Sequence, residues 1–186
     1  MKRLTDLLLA LLASLLLALP LLLVALWVKA TSPGPVLYWS DRVGRNNALF
    51  RMPKFRSMRI DTPEVATHLL AHPEQWLTPI GSFLRRSSLD ELPQLWCILR
   101  GQMSFVGPRP ALHNQHDLIA LRTRAGVNTL RPGLTGWAQI NGRDELPLAQ
   151  KVALDVHYLK HKSLGWDLRI LLLTAARVLR RDGITH

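Results

Sequence analysis

Cysteine, acidic residues and aromatic rings are all scarce in this chain of 186 residues. Cys97 is its only cysteine, which excludes an intrachain disulfide and a cysteine-based metal cluster and suits a reducing compartment. Asp and Glu number 13 against 24 Lys and Arg, a formal charge of +11. Such an excess attracts nucleic acid, anionic lipid or a phosphorylated small molecule. Aromatic residues make up 6% and form no obvious base-stacking platform, and no nucleic-acid-binding motif is present. Familiar catalytic signatures are also missing: there is no G-x-x-x-x-G-K-[ST], no H-E-x-x-H and no G-x-S-x-G. The histidines, His161 among them, lack metal-ligand spacing.

What the chain does have begins at its N-terminus. No charge interrupts the run from Leu7 to Trp27, and as a helix rising about 1.5 Å per residue it matches the roughly 30 Å hydrocarbon layer. A secretory signal peptide has a shorter apolar core, and Ala30-Thr31-Ser32-Pro33 is a poor cleavage site. Lys2 and Arg3 precede the run while Lys29, Arg42 and Arg45 follow it, so positive charge sets no orientation for a single crossing. Pro20 removes one backbone donor and its ring opposes the carbonyl four residues earlier. Two arrangements fit: a kinked spanning helix, or a segment that enters the membrane and turns back.

Composition divides the chain into this segment, residues 1–30, and a domain over residues 31–186, one α/β unit with a modest core. Thr31-Ser32-Pro33-Gly34-Pro35 releases the chain from the apolar run. Val36–Trp39 and Leu49–Met52 read as the strands of a hairpin around the polar Asp41–Asn47. If Pro53 does not end the second strand, Lys54 and Arg56 share a face able to bind an anion. Helices are expected over Thr62–Leu77, Leu92–Leu99, Leu146–Leu159 and Trp166–Arg181, with a strand or extended loop at Leu134–Ile140. In the last helix Leu168, Leu171, Leu172, Ala175, Val178 and Leu179 lie opposite Arg169, Arg177, Arg180 and Arg181. Both an interfacial helix in the headgroup layer and an ordinary core-packing helix carry that pattern.

Two short segments bear chemistry. Asp90 and Glu91 follow Arg85-Arg86, and Ser88-x-x-Glu91 matches a capping box. Pro93 would then lie past the first turn, so a helix starting at Asp90 is preferred, with Asp90 as a cap. The same position suits catalysis: a carboxylate at a helix start beside an arginine is expected to stay ionised and can attack phosphorus. Its neighbour can help hold Mg²⁺, which takes a few carboxylates and keeps substrate oxygens as ligands. In Gly107-Pro108-Arg109-Pro110 two prolines flank an arginine, suiting either bidentate phosphate recognition or a structural turn.

Together, Lys54–Met58, Phe83–Gln94, Met103–Pro110, Arg131–Arg143 and Leu154–Tyr158 resemble the monotopic phosphoglycosyl transferases, the bacterial sugar transferases, in order from the membrane segment to the C-terminus. The likeness is to their small members, which consist of the catalytic core alone. It implies transfer of a sugar 1-phosphate from a UDP-sugar to undecaprenyl phosphate at the cytoplasmic face of the bacterial inner membrane. UMP leaves, and a polyprenyl-diphospho-sugar remains to begin glycan assembly. Carried over by position, Asp90 is the nucleophile that holds the phosphosugar, and Glu91 supports Mg²⁺ or assists the acceptor. Lys54, Arg85 and Arg143 neutralise phosphate charge, with Arg56 added as a substrate-binding candidate by its expected place beside Lys54, while Pro108, Arg109 and Pro110 shape the nucleotide pocket. The resemblance also implies membrane lipid as a partner, a re-entrant helix broken near Pro20, interfacial amphipathic helices and compatibility with a homodimer. Members often have serine just before that proline, where this chain has Leu19; Cys97 and Gln102 stand where Asn and Asp are common. The reading from another class is a non-catalytic, membrane-tethered basic protein that binds anionic lipid or nucleic acid.

Overall fold

The computed structural model describes residues 1–63, 70, 72–142 and 146–180, the side chains at 179 and 180 excepted. The apolar run forms two helices, α1 (Lys2–Leu16) and α2 (Ala18–Thr31), bent by 61° at Leu17. Pro20 explains the place of the bend. A continuous helix would need its missing N–H at the Leu16 carbonyl and would drive its ring into that oxygen. The helix therefore ends at Leu16 and restarts with Pro20 in a first turn, where no donor is required. Among the described residues no single helix is long and apolar enough to cross a membrane.

The hairpin forms as expected but is longer. Strands β1 (Leu37–Val43) and β2 (Leu49–Phe55) pair antiparallel from Leu37↔Phe55 to Val43↔Leu49. Asn46 and Asn47 adopt the left-handed backbone in the connection, which asparagine tolerates. Pro53 sits within β2, an edge strand of a three-stranded sheet with β1 at its centre, where a missing donor is tolerated. The strand stops at Phe55, so Arg56 lies beyond it.

Next come α3 (Gly81–Ser87), a 3₁₀ turn over Leu89–Gln94 and α4 (Leu95–Leu99). They lead to β3 (Ser104–Val106), β4 (Ala111–Leu112) and α5 (His116–Arg124). The chain then forms β5 (Gly133–Thr135), α6 (Leu148–His161) and α7 (Leu164–Arg180). Strands β3 and β5 pair in parallel. Seven of the sixteen residues in the helix expected over Thr62–Leu77, 64–69 and 71, lie outside the described residues; at its C-terminal end the structure has instead a short 3₁₀ turn over Pro73–Trp76.

The apolar segment shares the core of the domain that follows it. Ala10 packs with Phe50, Met52, Leu95, Cys97 and Ile98, while Val24 and Val28 pack with Phe55, Ile80 and Leu84. Polar groups fasten its ends. Arg3 donates to the Leu99 carbonyl (2.9 Å) at the end of α4, and Lys2 meets Asp167 Oδ2 on α7 (2.6 Å). Buried Asp6 accepts from the Ser104 hydroxyl (3.1 Å) and the Phe105 N–H (3.2 Å), covering a donor on the β3 edge. At the far end, Arg56 donates to the Ser32 carbonyl (2.9 Å) and hydroxyl (2.7 Å).

Between these anchors the helices display leucine. Leu8, Leu12, Leu15, Leu16, Leu19, Leu22 and Leu26 are exposed. The same holds on α7, where Asp167 and Ile170 face inward while Leu168 and Leu172 are 58% and 63% exposed. Part of the apolar stripe of the last helix, Leu168 and Leu172, thus points outward, while Leu171 packs on the core beside Ile170.

Candidate active site

The local chain around the acidic pair departs from the expected cap. Ser88 occupies the N-cap position in a left-handed conformation (φ 57°) with no side-chain capping bond, and the Glu91 N–H binds the Ser88 backbone carbonyl instead (3.2 Å). Asp90 and Glu91 both lie in the first turn of the 3₁₀ segment, so Asp90 is not the cap. Pro93 lacks the donor that would close an α-turn onto Leu89, and α geometry begins only at Leu95. Tight winding sends the neighbours different ways: the Asp90 side chain is buried, while Glu91 meets Lys54 from β2.

Three cations from separate segments converge on this pair. Lys54 Nζ donates to Glu91 Oε1 at 2.6 Å, and Arg109 Nη1 lies 3.5 Å from the same oxygen. Arg85, at the end of α3, contributes its field to Asp90 and rests against Met58 Sδ (3.4 Å). The two acids respond oppositely. Burial lifts Asp90 to about 6, with Lys54 opposing the shift and Glu91 adding to it. Burial also works against ionisation of Glu91, but Lys54 and Arg109 outweigh it and hold that carboxyl down at about 2. The expectation of a firmly ionised Asp90 therefore fits Glu91 better, because the lysine contact is Glu91's.

The Gly107–Pro110 loop owes its place to backbone packing. A β-carbon on Gly133 would collide with the Gly107 nitrogen, and one on Gly136 with the Gly107 carbonyl. These glycines are what let the β3 and β5 segments touch main chain to main chain. Pro108 and Pro110 are buried on either side of the half-buried Arg109. Arg42 of β1, which no local motif marks, donates to the Ser40 hydroxyl (2.9 Å) and the Pro110 carbonyl (3.3 Å), and its charge helps to hold Glu91 low.

Of the residues expected here, the structure brings together Asp90, Glu91, Lys54, Arg85 and Arg109, with Pro108 and Pro110 framing the last. Arg56 does not join them. Its backbone N–H still pairs with the Val36 carbonyl (2.9 Å), but its buried guanidinium is held by the carbonyls of Ser32 and Pro33 at the end of α2. Arg143 lies outside the described residues. Among the described residues no cluster of three or more His, Cys, Asp or Glu side chains could enclose a metal ion. Two adjacent carboxylates suit Mg²⁺ sharing the oxygens of a diphosphate and water, not a closed protein cage. Cys97 is excluded from chemistry: it is fully buried, its thiol is pushed up to about 11 by burial, and it points to the Arg51 carbonyl (3.7 Å).

Comparison with known proteins places these residues in context. A family model described as bacterial sugar transferase matches residues 1–181. The chain is 43% identical to a UDP-glucose:undecaprenyl-phosphate glucose-1-phosphate transferase of Xanthomonas campestris pv. campestris, over 96% of this chain and 38% of that protein. It is 39% identical to an undecaprenyl-phosphate galactose phosphotransferase of Salmonella typhimurium, over 87% of this chain and 37% of that protein. With the exopolysaccharide production protein ExoY of Sinorhizobium fredii the identity is 38%, over 98% of this chain and 87% of the relative. The chain thus spans less than two fifths of the first two relatives and most of the third.

Proposed function

Because the chain belongs to the bacterial sugar transferase family, we propose that it transfers a sugar 1-phosphate from a UDP-sugar to undecaprenyl phosphate. The observation that carries this reading is the convergence of Lys54, Arg85 and Arg109 on the adjacent carboxylates Asp90 and Glu91. A diphosphate is the ligand that such a balance of charges suits.

In the first half-reaction an Asp90 oxygen attacks the sugar-bearing phosphorus of the donor. The bond from that phosphorus to the bridging oxygen breaks, UMP departs with the electron pair, and Asp90 carries the phosphosugar as an acyl phosphate. In the second, a phosphate oxygen of the polyprenyl acceptor attacks the same phosphorus and frees the Asp90 carboxylate. Lys54, Arg85 and Arg109 bind the charge that accumulates on the phosphoryl oxygens. Glu91, held near 2, is a weak base, which favours a role in holding Mg²⁺ over proton transfer. Asp90 and Glu91 would hold that ion, whose chemistry is to neutralise charge on the diphosphate.

The acceptor's lipid chain places the work at a bilayer, and the bent helix pair supports a re-entrant insertion. Both of its ends are fastened to one catalytic domain, by Lys2, Arg3 and Asp6 at the start and Arg56 at the finish. Each arm is about 21–23 Å long, short of the roughly 30 Å hydrocarbon layer. The catalytic side is the cytoplasmic face of the inner membrane, where basic residues gather. Relatives named for glucose and for galactose make UDP-glucose and UDP-galactose the first donors to try.

Purified protein in detergent, given polyprenyl phosphate, Mg²⁺ and a panel of UDP-sugars, is expected to release UMP with at least one of them, and Asp90→Asn to release none. Wild-type turnover by Asp90→Asn would overturn the nucleophile. Failure to release UMP with every donor, alongside tight salt-sensitive binding to anionic vesicles, would favour the non-catalytic reading.

A further inference from the structure

A buried ion pair behind the Gly107–Pro110 loop takes no part in the chemistry just described. Arg122 on α5 and Asp155 on α6 are both buried. Arg122 Nε donates to Asp155 Oδ2 at 2.9 Å, and its Nη2 lies 2.7 Å from the same oxygen. The remaining branch, Nη1, turns the other way and donates to the backbone carbonyl of Arg109 at 2.7 Å. One guanidinium therefore links two helices to the residue whose own side chain reaches Glu91.

Stability is a weak explanation for this pair. Stripping water from two charges costs about as much as their attraction returns, and apolar pairs of similar size usually fold as well. An apolar pair could not hold the Arg109 carbonyl. That carbonyl needs outside help, because Pro108 and Pro110 supply no N–H and the loop can make few backbone bonds of its own. A guanidinium suits the task, since its rigid fork presents one edge to a carboxylate and another to a carbonyl; a lysine ammonium has no such fixed geometry.

We propose that Arg122, oriented by Asp155, is a positioning residue that holds Arg109 in place at the carboxylate pair for the first half-reaction. The inference rests on the transferase reading above and adds to it two residues that touch no reacting atom.

Full-length protein in detergent is mixed with a UDP-sugar, without acceptor, and UMP is followed by rapid quench. The burst amplitude counts competent molecules, and its rate reports the chemical step. The double variant Arg122→Met/Asp155→Leu, which leaves no unpaired buried charge, is expected to keep close to the wild-type amplitude while its rate falls at least tenfold. Arg122→Lys, which keeps a cation beside Asp155, is expected to keep the amplitude and slow about tenfold. A purely structural role would lower amplitude and leave the rate alone, so a wild-type rate in a folded variant overturns the inference. Should the double variant not fold, Arg122→Lys decides by the same criterion. If the wild type needs acceptor to release any UMP, the covalent step is lost and kcat with a melting curve replaces the burst. A wild type that never releases UMP takes both readings down together.

Discussion

Asp90 and Glu91 are chain neighbours whose electrostatics differ in sign, burial ruling at Asp90 while nearby cations outweigh burial at Glu91. The 2.6 Å contact with Lys54 belongs to Glu91, and Asp90 is left with burial as the dominant influence. Asp90 is thus raised from 3.8 to about 6 and Glu91 lowered from 4.5 to about 2. The signs oppose each other in stability as well. Glu91 contributes stability above pH 4.5 that is lost as pH falls towards 2, whereas Asp90 lowers stability as pH rises from 3.8 through about 6. For the proposed reaction, an Asp90 nucleophile is ionised above about 6 and is lost as pH falls through that value. Infrared difference spectra between wild type and Asp90→Asn, taken without metal, are expected to show a carboxylate titrating near 6; a midpoint at an ordinary aspartate value would sink this account. Adding Mg²⁺ should move the midpoint down, since a bound cation favours the charged form.

At the level of elements, the bent pair α1–α2, the proposed membrane segment, is also a wall of the domain. Asp6 covers the Phe105 N–H on the edge of β3, and β3 runs straight into the loop that carries Arg109. Asp6 thus joins α1 to the strand that leads into the site. The bend itself depends on one residue. Replacing Pro20 by Ala restores a donor to the Leu16 carbonyl and removes a penalty of about 3 kcal/mol for proline inside a helix. Against this stand the polar anchors at Lys2, Arg3 and Asp6. The expected result for Pro20→Ala is a mixed population, with part of the N-termini moved across the bilayer. Protease access to an N-terminal tag in sealed vesicles measures that fraction. Adding Asp6→Ala should enlarge it; a tag that stays wholly on the side of the C-terminus in both variants argues against proline as the cause of the bend.

The whole molecule presents leucine on three helices and an excess of positive charge. Leu168 and Leu172 on α7 stand out with the leucines of α1 and α2, and the chain's net charge is +11. An exposed apolar surface of this kind marks a contact with lipid or protein, and basic residues beside it suit anionic headgroups. A nitroxide at Leu172→Cys in nanodiscs is expected to relax faster with oxygen than with a water-soluble nickel chelate, and one at Arg169→Cys to show the reverse. Labelling is specific because buried Cys97 has an unreactive thiol. A water-like profile at position 172 would mean that α7 does not lie in the interface.

The order of apolar and polar residues was enough to establish the apolar segment with a kink or break at Pro20, the hairpin, the helices α6 and α7, and the carboxylate pair with its flanking arginines. Each is a local property, set by helix or strand periodicity, by the missing donor of proline and by charge. Other features depended on residues far apart in the chain. Arg56 did not join Lys54 at the site because its guanidinium is taken up by Ser32 and Pro33 at the end of α2. The direction of the α7 leucines depended on which side of that helix met β3 and β5. Arg42 and Arg122 carried no local mark, and Asp155 stood in a motif without a role, since each acts through a backbone carbonyl or a partner many residues away. Sequence alone thus determined which groups are present and where the strongly periodic segments lie, while α3, α5, β3 and β4 and the 3₁₀ winding around the carboxylates emerged only in the fold; tertiary structure decided which carboxylate met the lysine. Burial and short-range ion pairing depend on distances that only the folded chain creates.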